Sequence, residues 1–240
     1  SGYPRPDRGL RYMQGTDQQS GLDWKDGVPI ARRFDDPYFS LQDGLAETQH
    51  VFLAGNELPH RFRDGFQIAE LGFGTGLNLL ASCSAWVESG VPGRLNYSSF
   101  EAFPITKDEM AEALIAFPQL SEIANNLVNQ WPPKSARFTL MGCVDVEIIV
   151  GDARETLLNW RSLADAWFLD GFSPAKNPEL WEPELLHLVG ARTRPKGTFA
   201  TYTAAGHVRR ALGAAGFDVT RKPGFGRKRH MSVGVLKLNE

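Results

Sequence analysis

The sequence predicts the α/β class: a mostly parallel, seven-stranded sheet with helices on both faces. Two observations carry that prediction. From residue 66 onward, short apolar runs alternate with amphipathic helical segments, the pattern of a parallel sheet whose crossovers cover both faces. The first of those runs leads directly into a Gly-rich turn, "ELGFGTGLN" at 70–78, which opens a helix and leaves room for a ligand beside the backbone.

The elements follow in order. Residues 1–64 are rich in Gly, Pro and Asp, do not alternate strand with helix, and hold one predicted helix over 45–54. They read as an N-terminal extension that contributes to the ligand site, and 65–240 as the domain proper. Ser1 and Gly2 stand where an initiator Met is absent, read as a processing remnant, and are set aside. "FQIAEL" (66–71) is a buried strand, "LNLLASCSAWVES" (77–89) a helix and "LNYSSFE" (95–101) the next strand. Thr106 and Glu109 form a capping box, each side chain satisfying the other's free backbone N–H, and that helix stops at Pro118. Further strands are expected over 146–150, 166–170, 198–203, 217–221 and 232–238. Asn177 followed by Pro178 predicts the cap and first turn of a helix "PELWEPELLHLVG".

Composition narrows the class of function. With 42% hydrophobic and 22% charged residues and no apolar stretch of membrane-spanning length, the chain reads as an ordinary globular protein with no membrane partner. Its two cysteines, Cys83 and Cys143, are far apart in sequence, so neither a disulfide framework nor a metal site is predicted, and a cytoplasmic location is expected. The net charge of -2 hides an asymmetry. Residues 191–240 carry 11 Lys or Arg against 2 acids, whereas the first 190 carry 15 against 26. A basic C-terminal fifth on an acidic body points to a localised anionic partner such as nucleic acid.

In sheets of this kind ligands bind outside the carboxyl ends of the strands, where the strand order reverses. The polar residues at those ends therefore carry the chemistry. Gly72, Gly74 and Gly76 are spaced G-x-G-x-G, whereas a dinucleotide fingerprint wants its third glycine at position 77, which is Leu. Glu70 would repel a pyrophosphate but could accept hydrogen bonds from an amine-bearing ligand. Glu101 ends the second strand, where a carboxylate can take both hydroxyls of a ribose. Asp152, in "VGDARE", stands where an adenine amino group could reach it, though it could instead cap the following helix. Asp170 tips the fourth strand, in "DAWFLDGFSPAKNP" (165–178).

This set resembles the class I S-adenosylmethionine-dependent methyltransferases, which have a Rossmann-like fold. "DDPYFS", "GFGTGLN", "FEAFP", "DAWFLDGFSPAKNPELW" and "GFGRKR" are similar to a narrower group, the methyltransferase module of the bacterial tRNA 5-methylaminomethyl-2-thiouridine biosynthesis enzymes, over about residues 34–234. The resemblance implies methyl transfer from S-adenosylmethionine to the exocyclic amine of 5-aminomethyl-2-thiouridine at the tRNA wobble position. Glu70, Gly72, Gly74, Thr75, Gly76, Asn78, Glu101, Asp152 and Phe172 are then expected at the cofactor. In bifunctional members an oxidoreductase domain prepares the amine. No second Gly-rich nucleotide-binding unit follows here, so no flavin chemistry is expected of this chain, and a separate enzyme or a missing domain would supply the substrate.

Asp170 is the candidate to orient the amine and to take its proton. An ordinary carboxylate, with pKa about 3.9, is a poor base, so burial would have to raise it. Phe172 offers an aromatic face to a cationic centre. Lys176 and the turn "RKPGFGRKRH", with Arg227, Lys228 and Arg229, are expected to meet the phosphates of an anticodon stem-loop, and His207, Arg209 and Arg210 to extend that surface. Asp36 and Tyr38 are placed over the methionine end of the cofactor. A small-molecule amine methyltransferase would share the fold but need no basic segment. A nicotinamide dehydrogenase is disfavoured by Leu77 and by the 29 residues from Gly72 to Glu101, where about 20 are usual. A catalytically silent tRNA-binding module would have no use for four acids at strand ends.

Overall fold

The computed structural model describes residues 21–40, 43–133 and 136–239. Residues 1–20 of the predicted extension lie outside the described residues. A small antiparallel sheet comes first: β1 (Leu22–Lys25), β2 (Val28–Ala31) and β3 (Asp36–Pro37). Next come α1 (Gly44–Thr48), a π-helical turn over Gln49–Leu53 and a 3-10 turn over Ala54–Asn56. The single helix expected over 45–54 thus changes winding twice, which brings Val51, Phe52 and Leu53 together on the buried side.

The main sheet holds β4 (Gln67–Leu71), β5 (Leu95–Glu101), β6 (Arg137–Leu140), β7 (Val144–Val150), β8 (Ala164–Leu169), β9 (Thr193–Thr201), β10 (Phe217–Pro223) and β11 (His230–Leu236). Their order is β10-β11-β9-β8-β4-β5-β7-β6, so the sheet has eight strands rather than seven. The extra one, β6, is a four-residue edge strand antiparallel to β7, too short and too polar to stand out as a strand in sequence. Strands β7, β5, β4, β8 and β9 run parallel, and β11 is antiparallel to both of its neighbours, β9 and β10, so β10 runs in the direction of the parallel set.

Helices α2 (Leu77–Ser89), α3 (Lys107–Leu114), α4 (Ser121–Asn129), α5 (Ala153–Asn159), α6 (Pro183–Ala191) and α7 (Gly206–Ala214) cover the sheet, with one apolar core on each face. The Thr106–Glu109 capping box forms with both of its hydrogen bonds. The cap expected at Asn177 does not. Pro183 forces Glu182 into an extended conformation (ψ 143°), so "PELWEPELLHLVG" splits into a 3-10 turn over Pro178–Trp181 and a helix that starts at Pro183.

Strand order reverses between β4 and β8. The chain runs outward from β4 through β5 to β7, then crosses back to β8 on the other side. The crevice at the carboxyl ends of β4 and β8 is therefore where a ligand is held in this architecture. The segment after α1 ties the N-terminal part to this crossover. Buried Asn56 donates to Phe52 O and Trp167 O, and accepts from the Thr198 hydroxyl at 2.6 Å.

Candidate active site

A cavity of about 1590 Å³ opens at those carboxyl ends. Its floor is the turn after β4. Gly72, Gly74 and Gly76 all have positive φ, 88°, 56° and 86°. At Gly72 the reason is also steric: a Cβ would lie 3.0 Å from the Gly171 backbone, where the turns after β4 and β8 pass each other. At Gly74 a Cβ would meet the Tyr38 ring at 3.0 Å. The strap over 33–40 therefore packs directly on the Gly-rich turn.

Glu101 ends β5 and reaches back across that turn. Its Oε1 accepts from Gly74 N at 2.9 Å and its Oε2 from Phe103 N at 3.1 Å. Burial raises its pKa, while the backbone N–H groups of Gly74, Phe103 and Ala102 act in the opposite direction. Lone pairs left on both oxygens suit a vicinal diol.

Asp170 lies immediately after β8. Its Oδ1 accepts from Gly171 N and its Oδ2 from Asn78 Nδ2, both at 2.8 Å. Burial pushes its pKa up to about 7 against the hydrogen bonds from Gly171 N and Asn78, with Glu47 acting in the same direction as burial and Lys228 opposing it. The same Asn78 amide donates to Glu70 Oε2 at 2.8 Å, and Asn78 Oδ1 accepts from the Thr48 hydroxyl at 2.9 Å. Ser99 donates to the other Glu70 oxygen at 2.7 Å. Fully buried, and with the charge of Asp170 nearby, Glu70 is pushed up to about 8.

Most residues singled out from sequence meet in this cavity: Asp36, Tyr38, Gly72, Gly74, Thr75 and Asn78 on one side, Glu101, Asp152, Asp170, Phe172, Lys176, Arg227 and Lys228 on the others. Glu70, Gly76 and Arg229 do not line it. Glu70 sits one layer below, where its two oxygens are taken by Ser99 and Asn78, so it orients Asn78 rather than meeting a ligand. Asp152 does cap α5, accepting from Arg154 N at 2.9 Å, and the Arg154 guanidinium also binds both of its oxygens. That pairing holds its pKa below the usual carboxylate range. Lys176, though exposed, is turned to the strap. Its ammonium donates to Asp35 O and lies 3.9 Å from Asp36, while Asp36 accepts from Ser173 N at 2.9 Å. The loop after β8 and the strap are thereby fastened together. Phe172 stacks on Phe34 with centroids 4.8 Å apart and meets Tyr38 edge-on at 5.1 Å.

Glu47, Thr48 and Tyr202 were missed from sequence. Tyr202 follows β9, a fifth parallel strand, and donates to Gly171 O at 2.7 Å. The rule that selected the acids at strand ends would have found it had it been applied to every polar residue. Glu47 and Thr48 carry no comparable signal, because they lie on a short helix outside the alternating part of the chain.

An α/β sheet with a Gly-rich turn after β4, a carboxylate ending β5 and no pyrophosphate-compatible glycine spacing suits a nucleoside-bearing ligand without a pyrophosphate. A family model described as S-adenosyl-L-methionine-dependent methyltransferase matches residues 118–237, and the chain belongs to that family. Among curated relatives, the "tRNA 5-methylaminomethyl-2-thiouridine biosynthesis bifunctional protein MnmC" of Caulobacter vibrioides is 50% identical over 218 residues, covering 88% of this chain and 37% of that protein. The protein of the same name from Marinobacter nauticus is 40% identical over 232 residues, covering 91% and 37%. The chain thus spans little more than a third of the length of these relatives. Among solved structures, MNMC2 from Aquifex aeolicus matches with a TM-score of 0.73 at 28% identity, over 93% of this chain and 74% of that one. TrmN from Thermus thermophilus, with a TM-score of 0.51 at 18% identity over 88% and 54%, shares the fold. Among the described residues no helix is long and apolar enough to cross a membrane.

The residues present fit S-adenosylmethionine. The Gly-rich turn leaves its backbone open to the cavity, Glu101 offers paired acceptors, and the volume exceeds what the cofactor alone needs, since ordinary ligand sites run to roughly 300–1,000 Å³.

Proposed function

We propose that the chain methylates the exocyclic amine of 5-aminomethyl-2-thiouridine at the wobble position of tRNA, with Asp170 as the proton acceptor. One observation carries the reading: a carboxylate raised to about 7, held by two fixed donors, opens into the cavity at the point where strand order reverses. A primary alkyl amine arrives largely protonated at neutral pH, since amines of this kind have pKa near 10. It must lose that proton before its lone pair can attack. A group near 7 accepts it far better than an ordinary carboxylate.

S-adenosylmethionine supplies the electrophilic methyl group when bound. Glu101 and the backbone of the Gly-rich turn would hold its nucleoside half. Asp36 and Tyr38 would close over it from the strap, so the described part of the N-terminal extension completes the site. Asp170 holds the amine in line and takes its proton through an oxygen whose other lone pair is fixed by Asn78 or Gly171. Alignment of this sort is the main contribution an enzyme makes to a displacement.

Support for tRNA as the acceptor comes from relatives named for that biosynthesis and from the exposed basic turn after β10, where Arg227 and Lys228 rim the cavity. A wobble base presented in a single-stranded loop is recognised through phosphate contacts and an extruded base. Such a substrate places the reaction in the cytoplasm. An oxidoreductase domain or a separate enzyme supplies the free amine.

The test is methyl transfer from labelled S-adenosylmethionine to tRNA bearing 5-aminomethyl-2-thiouridine, beside tRNA carrying its carboxymethylated precursor. Label in the first alone is the expected result. Label in neither, with cofactor binding intact, points instead to a small-molecule amine as acceptor.

A further inference from the structure

A lysine from the basic turn sits beside the acids nearest Asp170. Lys228 belongs to the basic turn between β10 and β11, but its ammonium is directed inward. Nζ lies 4.3 Å from the centroid of the Tyr202 ring and 3.8 Å from Glu47 Oε1. Both partners line the cavity with Asp170. The Glu47 side chain is only 17% exposed, and Lys228 is 48% exposed. Tyr202 is fixed from behind by its hydroxyl, which donates to Gly171 O next to Asp170. An ammonium held against a carboxylate and over an aromatic face is the environment an alkylammonium ligand requires.

We propose that Glu47 and the Tyr202 ring form the subsite that receives the acceptor's ammonium, and that Lys228 stands in this subsite until the acceptor displaces it. The inference rests on the aminomethyl reading given above and adds to it the residues that bind the amine before its proton is removed. The division of labour follows from charge. Asp170 must be able to take a proton, so it is unsuited to being the lasting partner of a cation. Glu47 already holds a cation, the Lys228 ammonium at 3.8 Å, and is the carboxylate placed to hold the acceptor's charge. With no acceptor bound, the two acids would face each other across the cavity, and Lys228 offsets both.

The exchange is easy in both directions. An ion pair at 3.8 Å with a half-exposed lysine is weak, so an entering ammonium can replace it. Released, the lysine joins Arg227 and Arg229 on the exposed turn, where a phosphate backbone would meet it. Filling the amine subsite and completing the phosphate-facing surface are then one event.

Two measurements test this. In methyl transfer to tRNA bearing 5-aminomethyl-2-thiouridine, Glu47→Gln and Tyr202→Leu are each expected to raise KM about tenfold, with kcat and the Kd for S-adenosylmethionine within about twofold of wild type. Tyr202→Phe keeps the ring and is expected to restore most of the loss in KM. The second measurement is calorimetric titration with the free nucleoside 5-aminomethyl-2-thiouridine in the presence of S-adenosylhomocysteine, which needs neither turnover nor phosphate contacts. Lys228→Met should bind the nucleoside severalfold more tightly and Glu47→Gln severalfold more weakly. Unchanged KM in Glu47→Gln and Tyr202→Leu overturns the subsite, and unchanged nucleoside affinity in Lys228→Met overturns the stand-in lysine. A wild-type enzyme that binds cofactor but labels neither tRNA overturns the functional reading instead. In that case the nucleoside titration still decides the subsite, and absence of binding in every variant overturns it too.

Discussion

The two walls of the cavity are built in different ways. The floor proposed for the cofactor comes from consecutive strand ends, β4, β5 and β7, and its groups are held by backbone: Glu101 by Gly74 N and Phe103 N, Asp152 as the cap of α5. The acceptor side is assembled from segments far apart in sequence. Asp36 reaches Ser173, Thr48 reaches Asn78, and Glu47 reaches Lys228. A floor fixed by backbone changes little when a ligand enters, whereas side-chain pairs between distant segments can exchange partners. With the floor proposed for the cofactor and the other wall for the acceptor, the difference teaches that affinity for the one should be separable from selection of the other.

Asp170 lies where the two walls meet, so breaking it has the largest expected effect. Asp170→Asn should lower the rate of methyl transfer by about 10²- to 10⁴-fold, the usual contribution of a positioned base, while Kd for the cofactor stays near wild type. The wild-type rate should rise with pH through about 7 and then level, and the variant should lose that limb. The variant also carries a stability signature of definite sign. Because the folded pKa of about 7 lies above the unfolded value near 3.8, the native state binds the extra proton between those limits. The group's favourable contribution is complete below the unfolded value and is lost as pH rises through 7. Asp170→Asn should therefore raise Tm relative to wild type more at pH 8 than at pH 5, measured by scanning calorimetry at both.

Glu101 tests the floor alone. Glu101→Ala removes an acceptor that bridges the Gly-rich turn and the start of the β5 loop. Hydrogen bonds to charged groups are each worth about 1.5–3 kcal/mol, so Kd for S-adenosylmethionine should rise about 10- to 100-fold. The Kd for tRNA should be unchanged. A comparable loss in tRNA affinity would show that the two walls are not separable.

The contrast between the walls also governs how much was legible in the sequence. The β4–turn–α2 unit, β5 and the capping box were readable because their causes are local: a run of apolar residues, glycines where φ is positive, a Thr three residues ahead of a Glu. Glu101 and Asp170 followed from the rule about strand ends. Glu47, Thr48 and the inward turn of Lys228 were not readable, because their roles arise only when α1 and the β10–β11 turn are brought against each other, α2 and the residue after β9. Glu70 was legible as important but assigned to the wrong layer. Sequence spacing places it beside the glycines, but Ser99 on the neighbouring strand and Asn78 on α2 enclose it. Asn177 failed as a cap for a local reason that was visible, the second proline at 183.

On the acceptor side, Arg227 and Arg229 project from the exposed turn. Replacing both by Ala should weaken tRNA binding severalfold at physiological salt and flatten the dependence of log K on log salt by about one to two units, with cofactor affinity unaffected. Titrations at two salt concentrations would measure this. An unchanged slope would move the phosphate contacts to α7, where His207 and Arg210 are exposed.

The smallest expected effect concerns the fastening between the walls. Asp36→Ala removes the acceptor for Ser173 N and leaves Lys176 with only Asp35 O. The lost hydrogen bond is worth about 1 kcal/mol, because the freed N–H sits at the cavity wall and can bond to water instead. Global stability should therefore hardly change. Amide exchange over 171–177 should accelerate severalfold as the loop after β8 loosens from the strap. Because Asp170 is held by Gly171 N and Asn78 rather than by the strap, kcat should fall less than threefold, while KM for tRNA rises by more than kcat falls. If kcat falls by more than KM rises, the strap aligns the base itself, and the acceptor wall reaches further into the chemistry than its contacts indicate.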